Sequence, residues 1–353
     1  MRFSHEPPAS TAVGGDSIAA WALETYASHR GKQVSIQPLG YPPDPALPVV
    51  GFERNEPFRG LLGDYNLDLP LTHLDPGVIY HWKGRTLVRP SSVEGWIEAG
   101  REWFSGAGFR DFWESVWNLS VAAWNFVNEY GSAPIESPAS FPYLQLSAWQ
   151  GFKWNKILFA KASDYLSSFA IEPADEFRNF VDSQIRFAFG RGIGEVPMGL
   201  ASMILNAPST SYLMERAKGE RAALQRGSES EGSGQTWRIP FQAGPGLRSG
   251  TPHQVFYEDS VDGGAIGAVV LTVQDDFRGF VYFRSGTGNA KDLGQALARS
   301  LGKEWGELDP NGIVPLSGLC LTLERKSFHS EVEPEWPWLG PARAYLEARR
   351  PLL

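Results

Sequence analysis

The chain has 353 residues, 32 basic and 40 acidic, for a formal net charge of −8. That length accommodates about two domains of roughly 150 residues, and the acidic balance offers no footprint for a phosphate backbone, so nucleic acid is not an expected partner. A single cysteine, Cys320, excludes an internal disulfide and a Cys-rich zinc site.

No stretch approaches the roughly 18 consecutive apolar residues of a membrane-spanning helix. The opening MRFSHEPPASTAVGG lacks the apolar core of a secretory signal. The expectation is a cytoplasmic protein, with peripheral membrane contact left open. Aromatic residues make up 13% of the chain, thirteen of them tryptophan, which points to a large aromatic core.

From Met1 to about Arg89 the signals are mixed. Ser17 to His29 carries Ile18, Trp21, Ala22 and Tyr26 on one helical face, and Gly31 is placed to stop that helix. A short strand follows at Gln33 to Ile36. The prolines of YPPDPALPVV (Pro42, Pro43, Pro45 and Pro48) then exclude both a helix and a central strand. Gly77 to Val88 reads as a hairpin around a Lys83-Gly84 turn.

About Pro90 to Ser211 is mostly helical. Phe109, Phe112, Trp113, Val116, Trp117, Val121, Trp124 and Val127 keep a helical period. A second helix is expected over Trp154 to Phe169, with Leu158, Ala162, Tyr165 and Phe169 inward. A third, starting at Pro173, places Phe177, Phe180, Val181, Gln184 and Ile185 on one stripe. A fourth follows Pro197, with Met198, Ala201 and Leu205.

Lys218 to Gln235 is polar and Gly/Ser-rich and reads as a flexible linker. Strand character returns from Thr236. Ile266 to Val273 and Gly279 to Arg284 form two strands joined by Gln274-Asp275-Asp276, and a helix is expected over Ala290 to Leu301.

Two glycine-rich turns are candidates for phosphate. In AVGGDSIAA, Gly14 fits the first position of G-x-G-x-x-G and Ala19 is a tolerable third. Asp16 stands at the middle position, where a carboxylate opposes a pyrophosphate, and HEPPAST before it is no buried strand. No acidic residue for a ribose follows about 20 residues on, where Ile36, Gln37 and Pro38 stand. Ser285-Gly286-Thr287-Gly288-Asn289-Ala290-Lys291 lacks a closing glycine and a GK[ST] end, and reads as a strand-to-helix turn.

His5, His29, His73, His81, His253 and His329 show no metal-binding spacing, and no metal site is expected. No G-x-S-x-G elbow points to a nucleophilic serine. The aromatic stripe from Phe109 reads as core before it reads as the lining of an apolar pocket.

The wording of several segments resembles a family. LDPGVIYHWKGRTLVRPSSVEGWIEAGREWF from Leu74, GFRDFWESVWNLSVAAWNF, and DEFRNFVDSQIRFAFGRGIGEVPMGLASMIL are similar to the substrate domain of carotenoid isomerase and phytoene desaturase-like flavoproteins. TPHQVFYEDSV followed by AIGAVVLTVQDD is similar to the sheet segment after it. VGGDSIAAWALETYASHRGKQVSI looks like an eroded copy of the family's FAD fingerprint.

The resemblance implies an α/β (α+β) fold. It would combine an eroded FAD/NAD-binding Rossmann-like domain with a mixed-sheet and helical substrate domain. The cofactor-type and sheet portion would be discontinuous, 1–89 and 236–353, around a helical substrate-type portion at 90–211. It implies FAD as cofactor, with Gly14, Gly15 and Ala19 meeting the pyrophosphate, and a long apolar, carotenoid-like polyene as ligand. It names no catalytic side chain.

The departures fall on the FAD contacts: Asp16, the absent ribose carboxylate, Tyr41-Pro42-Pro43-Asp44-Pro45 in place of a Gly-Gly motif, and no flavin-contacting Gly-Asp segment within Ile313 to Leu353. Two readings follow. One is an FAD-dependent oxidoreductase or isomerase. The other is a degenerate, non-catalytic relative that binds an apolar ligand or a protein partner without flavin.

Overall fold

The computed structural model describes residues 11–13, 34–36, 46–50, 71–104, 108–130, 157–158, 160–172, 175–189, 192–215, 235–243, 250–261, 265–272, 278–285, 306–308 and 314–316. Side-chain surroundings are described chiefly for 71–125 and 157–212. The expected helices at 17–29 and 290–301, most of the 218–235 linker and the turn at 286–291 lie outside the described residues.

Strands β1 (Thr11–Val13) and β2 (Val34–Ile36) pair in parallel, Thr11 opposite Val34 and Val13 opposite Ile36. Strand β3 (Ala46–Val50) and β4 (Leu71–His73) flank β7 (Ser211–Glu215) in an antiparallel three-stranded sheet. Pro48 therefore lies on an edge strand, the place in a sheet where a proline is tolerated.

The hairpin forms as expected: β5 (Val78–Trp82) and β6 (Arg85–Arg89) pair antiparallel around Lys83 and Gly84, whose φ values of 50° and 70° fit a tight turn. β5 then pairs in parallel with β9 (His253–Val261). The remaining strands are β8 (Gln235–Ala243), β10 (Ala265–Thr272), β11 (Arg278–Ser285), β12 (Gly306–Leu308) and β13 (Val314–Leu316). They complete one eight-stranded sheet ordered β12-β8-β11-β10-β9-β5-β6, with β13 also on β8. Its pairs are antiparallel except β5–β9, so the sheet is mixed and the fold combines α and β.

Among the described residues, five α-helices lie between the two halves of this sheet in the sequence. Helix α1 (Val93–Arg101) starts at Ser92, whose Oγ accepts the Gly95 N–H at 3.1 Å, and has Glu94 in its first turn and Arg101 in its last. Helix α2 (Gly108–Tyr130) buries Phe109, Phe112, Trp113, Val116, Leu119, Ala123 and Trp124. Trp117 and Val121, which keep the helical period, are only half-buried, because the buried stripe continues through Leu119 and Ser120, whose Oγ accepts the Asn206 side-chain N–H.

Helix α3 (Ala162–Ser167) is shorter than the Trp154 to Phe169 expected. Lys161 is extended and bridges to Pro197, with Met198 N–H donating to the Ala160 carbonyl at 2.7 Å. That pairing takes the backbone out of helix. Leu158, Ala162 and Leu166 are buried, while Tyr165 and Phe169 are half-buried.

Helix α4 (Glu176–Phe189) buries Phe177, Phe180, Val181, Gln184 and Ile185 as expected. Its start is bound by the Asp175 carboxylate, which accepts the Phe177 N–H at 2.8 Å. Helix α5 (Met198–Asn206) follows Pro197 and is buried at every residue.

Val78, Tyr80 and Trp82 share the sheet face toward these helices, since side chains alternate along a strand. Trp82, Phe104, Trp96, Phe109, Trp113, Phe177 and Phe180 meet ring to ring there, many edge to face. Burying each such side chain contributes about 1.5–3 kcal/mol. Phe109, Phe112 and Trp113 thus build core. Among the described residues no helix is long and apolar enough to cross a membrane.

Candidate functional site

Strand β1 ends at Val13, immediately before Gly14. β1 and β2 pair in parallel, an arrangement that a tight hairpin turn cannot join. The three-residue strand is short enough to hide behind the prolines of HEPPAST, which is why no apolar run announces it. A glycine pair at the carboxyl end of a parallel strand is where open α/β sheets bind ligands. Gly14, Gly15 and Ala19 themselves, with Asp16, lie outside the described residues.

The best described polar cluster lies between the hairpin and the helices. Arg89 ends β6 on the same face as Leu87 and is completely buried. Its Nη1 donates to the Tyr80 hydroxyl at 3.2 Å and its Nη2 to Ser209 Oγ at 3.4 Å. Tyr80, on the neighbouring strand, donates in turn to Gln184 Oε1 of α4 at 3.0 Å. The Arg89 Cζ lies 4.8 Å from the Trp96 ring centroid and 4.9 Å from that of Trp113.

Burial pushes the Tyr80 hydroxyl above its ordinary pKa, with Arg89 opposing, so Tyr80 is a phenol at neutral pH. Burial likewise lowers the Arg89 pKa, with Tyr80 opposing. A guanidinium nevertheless stays protonated in proteins. Among the described residues no carboxylate pairs with it. The described ion pairs, such as Arg101–Glu98 at 2.8 Å and Arg110–Glu114 at 2.7 Å, stand at the surface.

A second pair occupies the opposite sheet face. His81 Nε2 and His253 Nδ1 are 3.0 Å apart, the rings nearly parallel at 17°, and Thr86 Oγ1 is 3.2 Å from His81 Nδ1. Burial, then the facing His253, lowers the His81 pKa to about 4. These two histidines are 172 residues apart in sequence, so spacing along the chain hides them. Among the described residues no group of three or more His, Cys, Asp or Glu side chains could hold a metal. His73 is exposed and meets Tyr212 edge to face at 5.1 Å. His5, His29 and His329 lie outside the described residues.

Sequence reasoning missed Arg89, Tyr80 and the pairing of His81 with His253. One signal was present: Gln184 is the polar residue in the otherwise apolar stripe of α4.

No family model matches the chain, and no curated protein matches it. Among solved structures, a Pyrococcus furiosus protein determined as a structural-genomics target is similar at 9% identity and a TM-score of 0.47, over 87% of each chain. A putrescine oxidase redesigned in its cofactor binding is similar at 10% identity and a TM-score of 0.42, over 87% of this chain and 84% of that one. At those values neither likeness carries a family or an activity to this chain.

Proposed function

We propose that the chain is a flavoprotein-like oxidoreductase of the carotenoid isomerase and phytoene desaturase type, acting on or binding a long apolar polyene in the cytoplasm or at a membrane surface. The observation that supports this reading is the parallel β1–β2 pair with Gly14 and Gly15 at the carboxyl end of β1. FAD, if bound, would lay its diphosphate against Gly14, Gly15 and Ala19 and would supply the redox chemistry. The residues fit that group only in part, since Asp16 brings a carboxylate to the diphosphate. No chemical step is therefore assigned to the flavin.

Asp16 is also the specific observation that favours the second reading, a non-catalytic relative that holds an apolar ligand or a protein partner without flavin. The deciding measurement is the visible spectrum of protein purified gently from its own cells, then after incubation with FAD. A flavin spectrum that is lost on denaturation, with free FAD in the filtrate, supports the first reading. A folded protein that stays colourless through both steps removes it. An Asp16→Gly variant sharpens the result. If repulsion is the obstacle, this change alone should tighten FAD binding about tenfold, equivalent to ~1.4 kcal/mol.

A further inference from the structure

The Arg89 cluster carries a charge that its described neighbours do not balance. Arg89 is completely buried, and its hydrogen-bond partners are the hydroxyls of Tyr80 and Ser209. Burying an ionised group without an opposite charge is strongly unfavourable. Tyr80 does not supply that charge, because burial keeps it a phenol.

The polar atoms left over around Arg89 are all of one kind. Arg89 Nε, Gln184 Nε2, Trp96 Nε1 and Trp113 Nε1 are buried without a protein partner, and all four are N–H donors. They belong to one connected cluster. Both indoles lie within 4.9 Å of the guanidinium carbon, and Gln184 is reached through Tyr80. The two ring centroids are 5.4 Å apart. At that separation they flank the guanidinium on one side and do not sandwich it. Surplus donors around a cation call for an acceptor that bears negative charge.

We propose that the buried cluster of Arg89, Gln184, Trp96 and Trp113, between hairpin β5–β6 and helices α1, α2 and α4, is a binding site for a single carboxylate-sized anion. The anion arrives either as a free ion or as the head group of a longer apolar ligand. This inference does not depend on flavin.

The test is thermal denaturation of the full chain at constant ionic strength, with the bulky anion gluconate exchanged for formate in one series. A second series adds palmitate, with hexadecanol as its uncharged control. A site gives a saturable rise in Tm, roughly 5 °C when formate greatly exceeds its Kd, and Arg89→Met abolishes it. A response to formate alone identifies a free ion. A much stronger response to palmitate, absent with hexadecanol, identifies a head group.

A wild-type Tm that is flat in both series, or a rise that persists in Arg89→Met, overturns the proposal. Should Arg89→Met fail to fold, quenching of wild-type tryptophan fluorescence by nitrate decides. Saturable quenching relieved by formate supports the site. Linear quenching indifferent to formate refutes it.

Discussion

A histidine pair sets the acid behaviour at the scale of single residues. His81 titrates at about 4 in the folded chain, against 6.5 as its ordinary value. Between those values the unfolded chain holds a proton that the folded chain refuses, so stability increases with pH across this window. The contribution is complete above pH 6.5 and is lost as pH falls toward 4. Urea midpoints measured across this range should fall with acidification in wild type and fall less steeply in His81→Gln. Equal slopes would remove His81 as the cause. The same scale shows why the buried residues resist sequence reading. Alternation along RTLVR puts Arg89 on a face with buried Leu87 and exposed Arg85. Nothing local tells which arginine is covered.

Secondary elements were more legible than their neighbours in space. The Lys83-Gly84 turn, the α4 stripe and the strand pair β10–β11 follow from period and turn chemistry alone. The Trp154 to Phe169 helix does not, because Lys161 and Pro197 form a bridge between segments distant in sequence, and that bridge outweighs helical period. One glycine shows how closely elements approach. A Cβ on Gly77 would lie 2.0 Å from the Pro208 carbonyl oxygen, a backbone atom that cannot swing away. Gly77→Ala should therefore cost about 1–3 kcal/mol as overpacking, read as a lower urea midpoint. It should also disturb the nearby Ser209 contact with Arg89. Unchanged stability would mean that the 207–210 turn can retreat.

At the scale of the whole molecule, the sequence indicates mixed α and β and a helical middle, but the assembly of the large sheet is invisible in it. β5 precedes the helices and β9 follows them, yet they are neighbours, with Ile79 opposite His253 and His81 opposite Val255. Hydrophobic period reports which face a strand buries and says nothing of which strand lies beside it. The glycine-rich sequence after β1 is legible as a motif. Its use for FAD is not, because Asp16 changes the chemistry at one position while leaving the pattern around it intact.

The parallel β5–β9 pair also sets an order of events during synthesis. On a ribosome adding about 5–20 residues per second, the stretch between the two strands takes roughly 10–30 s to make. Helices α1 to α5 are translated in that interval, so the apolar face of β5 can be covered while one of its edges still offers open backbone groups. Such an edge invites pairing with another nascent chain. Ribosome-stalled chains ending before His253 should be cut by protease within residues 78–89, and chains long enough to expose β9 should resist. Equal resistance in both would show that the helices alone hold the hairpin in place.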